Sequence, residues 1–201
     1  SSEMVNQFSN AVITFLFNII LMRLAGPNGV AAITILLYGQ FLFNAFYLGF
    51  SIGISPIVGY QYGAGNRKEL KSIYRISFRF VSLSSVIIAF AAVYLSTGIV
   101  TIFTDDPKTH ALAVTGFGIF AYNFLFSGFN IASSGFLTAL SDGKSSAIIS
   151  FCRTLLFTVI SLLVLPRFFG VNGAWLAIPV AEFGTLLLSI WMHRKYLYRF
   201  I

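Results

Sequence analysis

"GFSIGISPIVGYQYGAGNRKELK", residues 49–71, packs five glycines and one proline into an apolar run that turns abruptly basic at Arg67, Lys68 and Lys71. Two readings compete for it. A phosphate-binding loop needs glycines at fixed offsets, but Lys68 stands where a third glycine belongs after Gly63-x-Gly65. Counted from Gly59, Ala64 replaces the second Walker glycine and no Gly-Lys-Ser/Thr follows. The other reading is a membrane helix reaching the headgroups. Gly49, Gly53, Gly59 and Gly63 then let neighbouring backbones approach, and Pro56 permits a bend. Residues 63–66 end the helix, and the three basic residues sit among anionic headgroups.

The rest of the chain supports the membrane reading. Of 201 residues, 57% are hydrophobic and 9% charged, whereas a soluble domain carries about 25% charged residues. Residues 80–104 and 111–141 contain no ionised side chain, and each stretch exceeds the roughly 20 residues a helix needs to cross hydrocarbon. The single Cys152 excludes an internal disulfide. His110 and His193 lie far apart without a zinc-like ligand set, and no serine-hydrolase elbow or HExxH helix occurs. An enzyme is therefore not expected, nor is a metal or organic cofactor. The opening "SSEMVNQF" lacks a basic leader and runs straight into a helix, which suggests a segment of a longer protein.

Six hydrophobic spans are expected, at 4–24, 30–60, 77–103, 111–140, 146–165 and 171–192, separated by "AGPNG", "GAGN", "TDDPK", "SDGK" and "FGVNG". The fold class is an all-α integral membrane protein, a six-helix bundle. Arg67, Lys68, Lys71, Arg75, Arg79, Lys144, Arg153, Arg194, Lys195 and Arg199 fall on one side, and only Arg23, Lys108 and Arg167 on the other. The positive-inside rule places both ends in the cytoplasm. The net charge of +7 is thereby explained by lipid headgroups, and no nucleic acid is needed as a partner. Arg153, close to the start of its span, is expected to snorkel to the headgroups. Asp105, Asp106 and Pro107 form an exposed turn.

Polar side chains recur within the spans at spacings of three and four. Glu3, Gln7, Asn10, Thr14 and Asn18 form one stripe, and Gln40, Asn44, Tyr47, Ser51 and Ser55 a second. Asn123, Ser127, Asn130, Ser134 and Thr138 form a third. Amides and hydroxyls in hydrocarbon must be hydrogen-bonded, so each stripe either joins helices or faces a wet cavity. Three stripes in one bundle favour a shared cavity, with Gln7, Asn10, Asn18, Gln40, Asn44, Asn123 and Asn130 as candidate lining residues. Glu182 lies eleven residues past Val171, about 16 Å along a helix and near mid-membrane. A carboxylate there is costly to keep ionised alone, so it binds a proton or pairs with a cation. Glu182 and Glu3 are the candidate coupling residues, and Pro179 allows a kink beside the first of them.

At this point a family resemblance becomes specific. Residues 17–43, the 49–71 stretch and residues 146–182, "SAIISFCRTLLFTVISLLVLPRFFGVNGAWLAIPVAE", resemble the C-terminal six-helix half of a MATE (multidrug and toxic compound extrusion) transporter. The resemblance implies one lobe of a twelve-helix antiporter that alternates access by rocking one lobe against the other. It implies an N-terminal lobe as partner, sodium or proton as coupling ion, and organic cations or drugs as exported cargo. A multi-pass position in a cell membrane, the inner membrane of a bacterium, follows. Some members carry cation-site acids in helices seven and ten. Glu3 lies in the helix matching the first; the helix matching the second holds Asn123 and Asn130 instead of an acid, and that carry-over fails. Other members keep the essential acid in the N-terminal lobe.

Alternatives differ in testable ways. A lipid-linked oligosaccharide flippase of the same superfamily calls for a cavity dense in Arg and Lys, which the intramembrane stripes lack. A non-transporting scaffold would use its stripes only to join helices. A half-size transporter would pair with itself.

Overall fold

The computed structural model describes residues 2–196, and the side chains of residues 8–195. Every regular element among them is helical. In chain order they are α1 (Ser2–Gly63), α2 (Arg67–Phe103), α3 (Pro107–Phe120), a 3-10 turn (Ala121–Asn123), α4 (Phe124–Ala139), α5 (Gly143–Phe151), a π turn (Cys152–Leu156) and α6 (Phe157–Tyr196). They make four helical runs long and apolar enough to cross a membrane.

Two of these runs are folded back on themselves. Gly26 in α1 (φ 67°) and Gly170 in α6 (φ 57°) adopt left-handed backbone, which a residue with a Cβ reaches only at a cost. Each breaks a helix with a corner of a single residue. Asn10 and Thr14 from the first limb of α1 meet Gln40 and Asn44 from its second limb at one cavity. Likewise a Cβ on Gly184 lies 3.5 Å from the Phe157 ring across the Gly170 corner. Four runs thus supply six passes. The two corners also share a local pattern, Arg23-x-x-Gly26-x-Asn28-Gly29 and Arg167-x-x-Gly170-x-Asn172-Gly173. Gly29 and Gly173 are both buried against the preceding limb, where a Cβ would press on Ala25 or on the Leu165 carbonyl.

The remaining connections are short and capped. Asn66, Asp106 and Asp142 each precede a helix and accept the backbone N–H three residues on, from Glu69 at 3.3 Å, Thr109 at 2.7 Å and Ser145 at 3.1 Å. These caps start α2, α3 and α5 earlier than hydropathy alone suggests. For α2 the difference is ten residues, from 77 back to 67, so Arg67, Lys68, Lys71 and Arg75 ride on an exposed helical extension, with Arg79 just inside the expected span.

Two apolar clusters stack along the bundle. One, near the glycine corners, gathers Phe17, Leu36, Phe117, Phe120, Phe124 and Trp175. The other, toward the basic end, gathers Tyr47, Val58, Leu70, Phe78, Phe136 and Leu140. The outer surface is also apolar, with Phe41, Ile52, Phe90, Tyr94 and Ile102 more than 70% exposed, as expected where lipid or another membrane segment replaces water.

The close helix contacts are not those the 49–71 stretch suggests. Gly49, Gly53 and Gly63 have nothing within 4 Å of a built Cβ, and Gly59 only the Ala139 carbonyl at 3.7 Å. Gly49, Gly53 and Gly63 lie on exposed faces of α1, and Gly59 only touches the last residue of α4. The glycines at that crossing belong to α4: a Cβ on Gly128 would meet the Tyr47 ring at 2.5 Å and Ser85 Oγ at 2.7 Å, and one on Gly135 would overlap Ser51. Pro56 stays within continuous helix.

Candidate functional site

A cavity of about 580 Å³ opens between the two limbs of α1, α4, the π turn and α6. Residues 10–14, 37–51, 130–135, 149–158 and 178–182 supply its wall. Counted at 1.5 Å per residue from Ala139, Gly143 and the Gly170 corner, Asn130, Arg153 and Glu182 lie roughly 14–18 Å along their helices, about half of a hydrocarbon core near 30 Å.

Each polar wall residue is positioned by a local cause. Glu182 sits one turn beyond the buried Pro179 in the second limb of α6 and is 3% exposed. Arg153 belongs to the π turn, where Thr158 Oγ1 donates to the Arg153 carbonyl at 2.8 Å, five residues back. Such a turn carries one extra residue per cycle and shifts the side chains around it, a pattern frequent at functional sites. The guanidinium thereby reaches Glu182: Arg153 Nε donates to Oε1 at 2.7 Å. Asn130 of α4 donates from Nδ2 to Glu182 Oε2 at 2.7 Å and to the Glu182 carbonyl at 2.9 Å. Its Oδ1 accepts from Ser189 at 3.2 Å. Three passes therefore converge on one carboxylate, both of whose oxygens accept N–H donors.

The expectation that Arg153 snorkels to the headgroups is corrected here. Its side chain is 18% exposed, lines the cavity and pairs inside the bundle. Distance from the span's start is a poor guide when α5 begins at Gly143 and a π turn redirects the side chain. A signal was available in the sequence. An acid predicted at mid-membrane needs a countercharge, and Arg153 is the basic residue within the span preceding it.

Asn10, Gln40, Asn44, Asn130 and Glu182 come together at the cavity wall, and Asn18 and Asn123 do not. Asn18 is half-buried one turn nearer the Gly26 corner than Thr14. Asn123 is fully buried in the 3-10 turn, donating to the Phe120 carbonyl at 2.6 Å, and its Oδ1 has no partner among the described residues. The tighter turn puts the α4 stripe out of register with residues before it. The side chains of Gln7 and Glu3 lie outside the described residues. Asn44 Oδ1 accepts from Ser127 at 3.1 Å, which ties α1 to α4 and leaves its amide N–H groups free for the cavity. Ser134, Ser146, Ser150 and Thr138 form a hydroxyl chain between α4 and α5, at 2.7–2.9 Å. Hydropathy and spacing did not single out Ser146, Ser150, Thr154 or Thr158.

Comparison with known proteins places this architecture. The chain is 24% identical over 182 residues to the probable multidrug resistance protein YoeA of Bacillus subtilis (strain 168), a match covering 86% of this chain and 38% of that protein. Among solved structures, the Vibrio cholerae MATE transporter VcmN in its bent form superposes with a TM-score of 0.88 at 19% identity, over 98% of this chain and 44% of that one. A MOP superfamily transporter from Pyrococcus furiosus, described as having a binding pocket of reverse polarity, superposes with a TM-score of 0.89 at 17% identity, over 98% and 45%. The chain thus spans less than half the length of these relatives, and its helical bundle has the fold of that part of a MATE transporter. The MatE family model matches residues 4–163, most of the chain, and the protein belongs to that family.

Proposed function

We propose that this chain is the C-terminal lobe of a secondary active transporter that couples inward movement of sodium or protons to export of organic cations or drugs by alternating access. The N-terminal lobe of the same transporter is its partner, and the cavity wall formed by Asn10, Gln40, Asn44 and Asn130 faces it. The observation that carries this reading is a carboxylate, Glu182, held at mid-membrane on the wall of a polar cavity. A structural ion pair has no need of a cavity; a coupled transporter needs a charge that an ion can reach.

The coupling follows from the pair. With Arg153 in place, Glu182 already has its countercharge and an arriving ion gains little. A proton or cation on Glu182 removes the attraction that holds Arg153 and the π turn against α6. The bundle then has two arrangements with different affinities for the ion, which is the condition for an ion to shift their populations. The basic extension of α2 supports an orientation with both ends of the chain in the cytoplasm. Arg153 is the one basic residue on the cavity wall among the described residues, which speaks against an oligosaccharide flippase with a wall dense in Arg and Lys.

In the complete protein reconstituted into vesicles, Glu182→Gln should reduce ion-driven dye export to the level of empty vesicles while membrane insertion is unchanged. Undiminished export by this variant would remove Glu182 from the mechanism.

A further inference from the structure

Glu182 and Arg153 meet the cavity unequally. The Glu182 side chain is 4% exposed and the Arg153 side chain 18%. Both Glu182 oxygens are occupied, Oε1 by Arg153 and Oε2 by Asn130. Arg153 engages only its Nε, so its two terminal amino groups, four N–H donors, have no hydrogen bond among the described residues. A molecule entering this cavity therefore meets the positive partner of the pair first, with the negative one behind it.

The neighbouring groups strengthen that bias. The Asn44 amide oxygen is taken by Ser127, which turns its N–H donors outward. Apolar Phe41 and Leu48 complete the wall. Free donors around a guanidinium, beside hydrocarbon, match the planar two-oxygen geometry of a carboxylate attached to an apolar body.

We propose that Arg153 is a carboxylate-binding site in the cavity, which selects amphipathic cargo bearing an acid group, including zwitterions whose amine is held elsewhere on the wall. This rests on the reading of the cavity as a transport site. It departs from simple cation export, because a permanent cation without a carboxylate leaves the guanidinium unpaired on its exposed side. A charge-assisted pair in a partly desolvated site contributes enough for selectivity on the order of tenfold or more.

The test uses rhodamine B, which carries a carboxylate, and its ethyl ester, which does not. Equilibrium binding of each is measured by fluorescence anisotropy to the complete protein in phosphatidylcholine nanodiscs. The expected result is about tenfold tighter binding of the acid than of the ester. That ratio should rise in Glu182→Gln, where Arg153 loses its competitor, and collapse to near one in the double variant Arg153→Gln/Glu182→Gln. The double variant leaves no unpaired buried charge and so guards against simple misfolding. A ratio unchanged by both variants overturns the site. If the unmodified protein still exports the ester from vesicles in that case, the transport reading survives alone; if it neither binds nor moves either dye, both fall.

Discussion

Asp106 opens α3 by accepting the Thr109 backbone N–H at 2.7 Å, and this bond, aided by the Thr109 side chain, holds its carboxyl below the ordinary value of 3.8. A lowered native pKa means the folded protein releases this proton more readily than the unfolded one. The cap's contribution is therefore complete above the ordinary value and is lost as pH falls through the lowered native one. Asp106→Asn keeps an acceptor that does not titrate, so thermal unfolding followed from about pH 6 to pH 2 should show a shallower acid decline; matching curves would dismiss the cap as a pH-sensitive element. Single residues also show where sequence reading reaches its limit. Asn10, Gln40, Asn44, Asn130 and Glu182 were legible because helical spacing and the cost of buried polar groups both point inward. Arg153 was not, since whether a charge near a span's end snorkels or turns inward depends on a π turn, which leaves no periodic signature. Asn123 fits the α4 spacing but lies in a 3-10 turn that spacing cannot register.

At the scale of elements, the crossing of α1 and α4 is set by Gly128 and Gly135. Gly128→Ala should destabilise the lobe by about 1–3 kcal/mol through overpacking against Tyr47 and Ser85, seen as a lower midpoint in a detergent thermal-unfolding assay. Gly53→Ala should leave the midpoint where it is, since a Cβ there meets nothing within 4 Å. Equal effects at both positions would contradict the crossing described. The passes themselves were readable from hydropathy and breakers, but not their starts, which the Asn66, Asp106 and Asp142 caps set. Which glycines pack was not: spacing along one helix identifies a stripe of small residues, but only the neighbour's position decides whether that stripe faces protein or lipid. The glycines of residues 49–63 advertise flexibility in sequence, yet the close approach lies on the helix opposite.

For the molecule as a whole, a wet cavity distinguishes a transporter from a scaffold of joined helices. With Cys152 replaced by Ser, a cysteine in place of Asn44, half-buried on the cavity wall, should react with a charged thiol reagent in intact membranes. One in place of Asn123, fully enclosed, should not. Equal protection of both would favour the scaffold. The single-residue corners at Gly26 and Gly170 bear on how such a bundle is made. Only a single-residue corner separates the two limbs on the side away from the basic extension, so each pair can enter the bilayer as one hairpin that carries across little besides one arginine and one asparagine, Arg23 and Asn28 or Arg167 and Asn172. Asn10 and Thr14 make the first limb a poor candidate for solitary insertion. Joined at Gly26 to the longer second limb, it is carried in by its partner, and the residues that burden its biogenesis are those that wet the finished cavity.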